Sequence, residues 1–181
     1  MLLPLGARAD EHSWTLSRLI AGLARDSAST MGFSEVRRLQ YLTEPLYLEG
    51  TLTFQPPARL ERLVLRPTRE RMIVDGDVLT IEASRTTLPT RVLLSDHPAL
   101  DGFITALRSV LAGDQGTLER IYTIALEGGE ASWLLRLTPK SQRLRAAVSE
   151  VRIGGAGREI TTVEVIETGG DRSVITIRGT P

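Results

Sequence analysis

Residues 48–82, LEGTLTFQPPARLERLVLRPTRERMIVDGDVLTIE, decide how this chain folds. Leu48, Leu52 and Phe54 fall on one face of an extended strand, and Glu49, Thr51 and Thr53 on the other. A period of two is the mark of a strand that buries one side only. Pro56-Pro57 and Pro67 punctuate the run, because proline lacks the N–H that a sheet ladder needs. Asp75-Gly76 has the composition of a tight hairpin turn. The stretch reads as consecutive antiparallel strands forming a sheet with one apolar face. No cluster of reactive groups accompanies it, which points to burial of something apolar rather than to catalysis.

The same grammar extends outward. Phe33 to Leu42, Arg91 to Leu94, Thr117 to Leu126, Ala131 to Leu137, Val148 to Ile153, Glu159 to Glu167 and Ser173 to Arg178 each have strand character. Gly128-Gly129, Gly154-Gly155 and Gly169-Gly170 lie at junctions, where tight hairpins demand positive φ. Two amphipathic helices interrupt the strands. The first spans about Glu11 to Asp26, with Leu16, Leu19, Ile20 and Leu23 at helical spacing. The second spans Pro98 to Ala112: Ser95 or Asp96 caps it, Pro98 suits its first turn and Gly113 ends it. Its stripe is Leu100, Phe103, Ile104, Leu107, Val110 and Leu111. An apolar sheet face must be covered, and these helices can cover it. The expected fold is mainly β (α+β): a single strongly curved antiparallel sheet, an incomplete half-barrel with helices over its concave apolar face.

Composition narrows the function classes. The chain has 181 residues, enough for one domain with a substantial core. Lys+Arg and Asp+Glu are 22 each, so no net field draws in nucleic acid or anionic lipid. With aromatics at 4%, any cavity is mainly aliphatic. The absence of cysteine excludes disulfides, thiolate metal sites and a cysteine nucleophile. MLLPLGARA at the start ends in Ala7-Arg8-Ala9, the small-x-small pattern of a signal-peptide tail. Residues 1–9 are therefore expected to be a signal remnant or disordered N-terminus, and 10–181 one domain. No segment approaches the roughly 18 apolar residues of a membrane-spanning helix.

The order of elements resembles the LolA family, periplasmic carriers that shuttle lipoproteins towards the outer membrane. Gly50-Thr51-Leu52 followed by Phe54-Gln55-Pro56-Pro57 resembles the family's strand–proline–strand opening, and Val74-Asp75-Gly76 with Leu79 its hairpin. Leu137-Thr138-Pro139-Lys140 resembles its proline–lysine turn, and the helix from Pro98 to Ala112 sits where the family has a cavity-lining helix. The resemblance implies a half-barrel with a helical lid over an apolar cavity. It also implies a latch, a basic residue directly before the proline that opens the third strand; here that position is Pro56. Arg59 and Arg62 on the next strand are the substitutes for lid contacts.

Together these features lead to a periplasmic carrier in a Gram-negative envelope that binds the acyl chains of a lipoprotein or other lipid. The expected lining is Leu52, Phe54, Met72, Val74, Leu79 and Ile81 from strands, with Phe103, Leu107 and Val110 from the second helix. Implied partners are an inner-membrane releasing transporter and an outer-membrane acceptor, with the protein itself monomeric. Neither a cofactor nor a metal is expected. An envelope scaffold or protein-binding module with a sealed core is the alternative. A hydrolase is disfavoured: Ser95-Asp96-His97 gathers triad residue types, but adjacent residues rarely converge and a capping turn explains them. His12, the other histidine, sits near the first helix.

Overall fold

The computed structural model describes residues 14–84 and 88–179. The signal-like start, His12 and the first turn expected from Glu11 lie outside the described residues. Helix α1 (Leu16–Leu23) is followed by β1 (Ser29–Arg38), β2 (Leu46–Gln55), β3 (Arg59–Arg66), β4 (Glu70–Asp75), β5 (Val78–Ala83) and β6 (Thr90–Leu93). After a 3-10 turn come α2 (Pro98–Ala112), α3 (Gln115–Ile121), β7 (Tyr122–Gly129), β8 (Ser132–Pro139) and α4 (Gln142–Arg145). Strands β9 (Val148–Ala156), β10 (Glu159–Glu167) and β11 (Arg172–Arg178) complete the order.

All 11 strands belong to one antiparallel sheet, in the order β6-β5-β4-β3-β2-β1-β11-β10-β9-β8-β7. Edge strands β6 and β7 do not pair, so the sheet stays an incomplete barrel, as expected. Two meanders, β1 to β6 and β7 to β11, meet where β1 pairs with β11 from Gly32↔Arg178 to Arg38↔Arg172. Between them α2 packs against α1, α3, α4 and β9. The core draws on Phe33, Phe54, Val64, Val74 and Leu79 from one meander and on Leu135, Leu137, Val151, Ile153 and Val163 from the other.

The strands of residues 48–82 form as read, with the β4–β5 turn at Asp75-Gly76 and Gly76 at φ 57°. Gly50 has a stricter role: a Cβ there would lie 1.8 Å from the Leu63 carbonyl oxygen, beside the irregularity where Glu49 meets Arg66. Several expectations need correction. The first strand starts at Ser29 and ends at Arg38, not Phe33 to Leu42. The strand expected over Thr117 to Leu126 begins as α3, because the Asp114 carboxylate accepts from the Thr117 N–H at 2.9 Å and caps a helical turn. Ser95 and Asp96 lie in the 3-10 turn instead of capping α2; its N-cap is His97, with no side-chain cap bond. Gly128 and Gly170 take positive φ, but Gly154 and Gly155 lie inside β9, and Gly157 (φ 54°) makes the β9–β10 turn. Gly155 is needed for close approach, since a Cβ would stand 2.4 Å from the Trp133 ring.

The convex face carries networks of arginine and glutamate. Arg71 forks onto Glu61 with two 2.8 Å hydrogen bonds and reaches Glu82. On the other meander Glu127, Arg136, Glu150, Arg152, Glu164 and Arg172 form a cross-strand ladder of alternating charge. Half-exposed pairs of this kind are each worth at most about 1 kcal/mol.

Candidate functional site

Helix α2 has two buried faces. Leu100, Phe103, Ile104, Leu107 and Leu111 face the concave side of the sheet across a narrow crevice. Gly102, Ala106, Ser109 and Val110 are buried on the other flank. That flank is held tightly: the buried Tyr122 hydroxyl donates to the Gly102 carbonyl at 2.7 Å. A Cβ at Gly102 would meet the Leu144 side chain at 2.5 Å and the Tyr122 hydroxyl at 3.0 Å, so glycine there suits the close seating of the helix. At the opposite flank, Arg108 Nη1 donates to the Gly76 carbonyl at 2.8 Å, bridging α2 to the β4–β5 turn. Arg108 Nε and Nη2 are buried without hydrogen-bond partners, and burial pulls its pKa down against Asp77, Asp75 and Asp101.

The crevice has a volume of about 80 Å³. Of the residues expected to line it, Leu52, Phe54, Met72, Val74, Leu79, Phe103 and Leu107 do. Val110 does not, because it falls on the other buried flank of α2, and Ile81 is half-buried at the margin of the core. Sequence reasoning missed the second meander's contribution of Ile160, Val163, Ile175 and Ile177. Their period-two spacing was visible; their position opposite Leu52 was not, since it depends on the β1–β11 pairing.

The crevice opens into a mouth of about 510 Å³, the two sharing Arg62, Met72, Leu100, Phe103 and Ile175. Polar groups gather here. Glu35 of β1 is 1% exposed and binds Arg62, Arg37 and the Ser173 hydroxyl, the last at 2.7 Å. Arg62 starts on β3, crosses β2 beside Gly50 and stacks over the Phe33 ring at 4.9 Å on its way to Glu35. Burial pushes the Glu35 pKa up, but the Arg62 and Arg37 charges with the Ser173 and Arg37 hydrogen bonds outweigh it and leave it lowered. Of the two proposed substitutes for a latch, Arg62 turns inward to Glu35, and Arg59 pairs with Asp75 at 2.9 Å. The side-chain link from α2 to the β4–β5 turn is made by Arg108 instead. His97 lines the mouth, and among the described residues no group of three or more acidic or histidine side chains is placed to hold a metal. No helix among them is long and apolar enough to cross a membrane.

Residues 6–180 match the family model described as outer membrane lipoprotein carrier protein LolA-like. No curated protein sequence matches the chain. Among solved structures, a LolA superfamily protein from Nitrosomonas europaea is similar at 11% identity and TM-score 0.48, covering 93% of this chain and 96% of that one. A putative outer membrane lipoprotein-sorting protein domain from Vibrio parahaemolyticus is similar at 8% identity and TM-score 0.45, covering 87% and 86%. The Mycobacterium tuberculosis lipoprotein LppX is similar at 10% identity and TM-score 0.43, covering 92% and 98%. With a family model matched over nearly its whole length, this chain belongs to the LolA-like outer membrane lipoprotein carrier family.

Proposed function

We propose that this protein is a periplasmic carrier that takes the acyl chains of a lipoprotein or other lipid between its sheet and α2 and carries them between membranes. The observation that carries the reading is the aliphatic crevice beneath α2, walled by both meanders and open at one end to a wide mouth. A sixteen-carbon chain costs on the order of 12 kcal/mol to expose to water, so transfer between membranes requires such a shelter. Occupied ligand pockets usually enclose about 300–1,000 Å³, well above the 80 Å³ of the crevice. The empty protein is therefore the closed form, and cargo enters as α2 lifts and exchanges its own apolar contacts for those of the chain. Release to an acceptor then needs only a modest difference in affinity.

The test is organic extraction of protein purified from its native envelope, together with titration by an environment-sensitive fatty probe. Lipid is expected in the extract, and the probe is expected to bind. Leu52→Trp, which fills the crevice, should weaken the probe by at least about tenfold while costing about 1–3 kcal/mol of stability, so that the protein still folds. Absence of both lipid and probe binding would sink the carrier.

A second reading, a protein-binding envelope module, draws on the exposed side chains Tyr41, Leu42, Leu46, Tyr47, Leu65 and Leu88. All lie at or beside the β1–β2, β3–β4 and β5–β6 connections, which share one end of the sheet. It predicts a stable protein partner lost in Tyr41→Ser/Tyr47→Ser, with no lipid in the extract.

A further inference from the structure

The charged groups of the mouth are ordered along the path out of the crevice. Register sets two successive rungs on the concave face of β10, β11 and β1, and the hairpin tips add a third group. The innermost holds Val163, Ile175 and Glu35, with Arg62 reaching in to Glu35. One step out are Val165, Ser173 and Arg37. At the hairpin tips the same alternation brings Glu167, Asp171 and Leu39 to the mouth. Moving outward along this wall, apolar side chains give way to the Arg62–Glu35–Arg37 group and then to Glu167 and Asp171; Arg172 at the same mouth is paired with Glu164, and Asp96 and His97 line the mouth beside α2.

The inner group has an unbalanced charge. One carboxylate, Glu35, is shared by two guanidiniums, Arg62 and Arg37, which leaves one positive charge in excess. Arg62 is 14% exposed and lines the crevice as well as the mouth, so it stands at the neck between them. A wall that only packed would be as stable with aliphatic residues here, because burying an ion pair gains little over well-packed apolar groups. The outer group has the opposite imbalance. Asp171 accepts from the Gln40 N–H at 2.7 Å, while the Glu167 carboxylate has no hydrogen-bond or ion-pair partner among the described residues. Burial, and then the Asp171 charge, push the Glu167 pKa up, with Arg37 opposing; a cation placed between the two acids would relieve this.

We propose that the mouth reads the head of a zwitterionic, phospholipid-like amphiphile whose phosphate meets Arg62 and Arg37 and whose ammonium meets Glu167 and Asp171. The chain continues into the crevice. The guanidinium fork suits a phosphate oxygen pair, and the partly dry neck strengthens that attraction relative to open water. The order matters more than the net charge: an anion inboard and a cation outboard fit, and the reverse places like charges together. This inference rests on the carrier reading and assigns the class of amphiphile.

The experiment uses the intact protein and three ligands with one chain length: dodecylphosphocholine and a dodecyl sulfobetaine with ammonium inboard and sulfonate outboard, both below their micelle concentrations, and dodecanol below its solubility limit. The phosphocholine is expected to bind about tenfold or more tighter than the sulfobetaine. Arg37→Met leaves the Glu35–Arg62 pair intact and should fold; it and Glu167→Gln should each shrink the preference by at least about threefold without changing dodecanol binding. Equal or tighter binding of the sulfobetaine, or a preference that survives both substitutions, overturns the proposal while leaving the carrier in place. Failure of all three ligands to bind overturns the carrier as well.

Discussion

Glu35 concentrates the electrostatics of the cavity in one side chain. Its pKa is held below the ordinary 4.5 even though burial alone would raise it, because Arg62 and Arg37 face it. A lowered folded pKa gives stability that is present above about 4.5 and is lost as pH falls through the folded value. Denaturant midpoints should therefore drop on acidification below that point. Glu35→Gln should lose about 3 kcal/mol near neutral pH, since it strands Arg62, and should show a shallower acid limb. Some limb will remain, because Glu61, Glu150 and Asp114 are lowered too. An acid limb of unchanged steepness would mean that Glu35 is not its source. Gly50 is the second residue on which the wall depends. Gly50→Ala drives a methyl group into the Leu63 carbonyl and should cost at least about 2 kcal/mol by equilibrium unfolding, whereas Gly129→Ala, with open space around it, should be nearly neutral.

At the scale of elements, α2 is the part the proposed carrier would have to move, and its two flanks are fastened differently. The Tyr122–Gly102 side is buried and closely packed, while the Arg108–Gly76 side is a single long side chain over a turn. Opening is expected to pivot on the first and release the second. Arg108→Met should cost only about 1 kcal/mol, yet raise amide exchange along α2 and speed uptake of a fatty probe. Unchanged exchange and uptake would show that Arg108 does not hold the helix down. Helix α2 was legible from its stripe, Pro98 and Gly113, because fifteen residues give a full helical period several times over. Helix α3 was not. It has seven residues, buries only Leu118, and runs directly into β7, so its apolar positions merged with the strand's alternation. Arg108 escaped notice for another reason: an arginine on the polar side of an amphipathic stripe looks solvated until the turn it reaches is known.

For the whole molecule, local pattern gave one meander and tertiary pairing gave the cavity. Leu52, Phe54, Met72, Val74 and Leu79 alternate within a single stretch of chain, and reading that stretch was enough to bring them together. Ile160, Val163, Ile175 and Ile177 join them only because β1 bonds to β11, a partnership between the two ends of the described chain that no short window encodes. That seam has a consequence for assembly. Each meander consists of neighbouring hairpins and can form early, but Gly32 must find Arg178 across nearly the whole sequence, the slow, entropically costly kind of contact. A chain ending at Asp171 should keep hairpin circular dichroism yet bind no fatty probe, and adding residues 172–181 as a separate peptide should restore part of the binding. Probe binding by the shortened chain at full strength would contradict this. For the proposed carrier, β11 would then act as the permit for loading: a newly made copy would have no enclosed place for a lipid until synthesis of β11 was finished, so a half-built protein could not capture cargo.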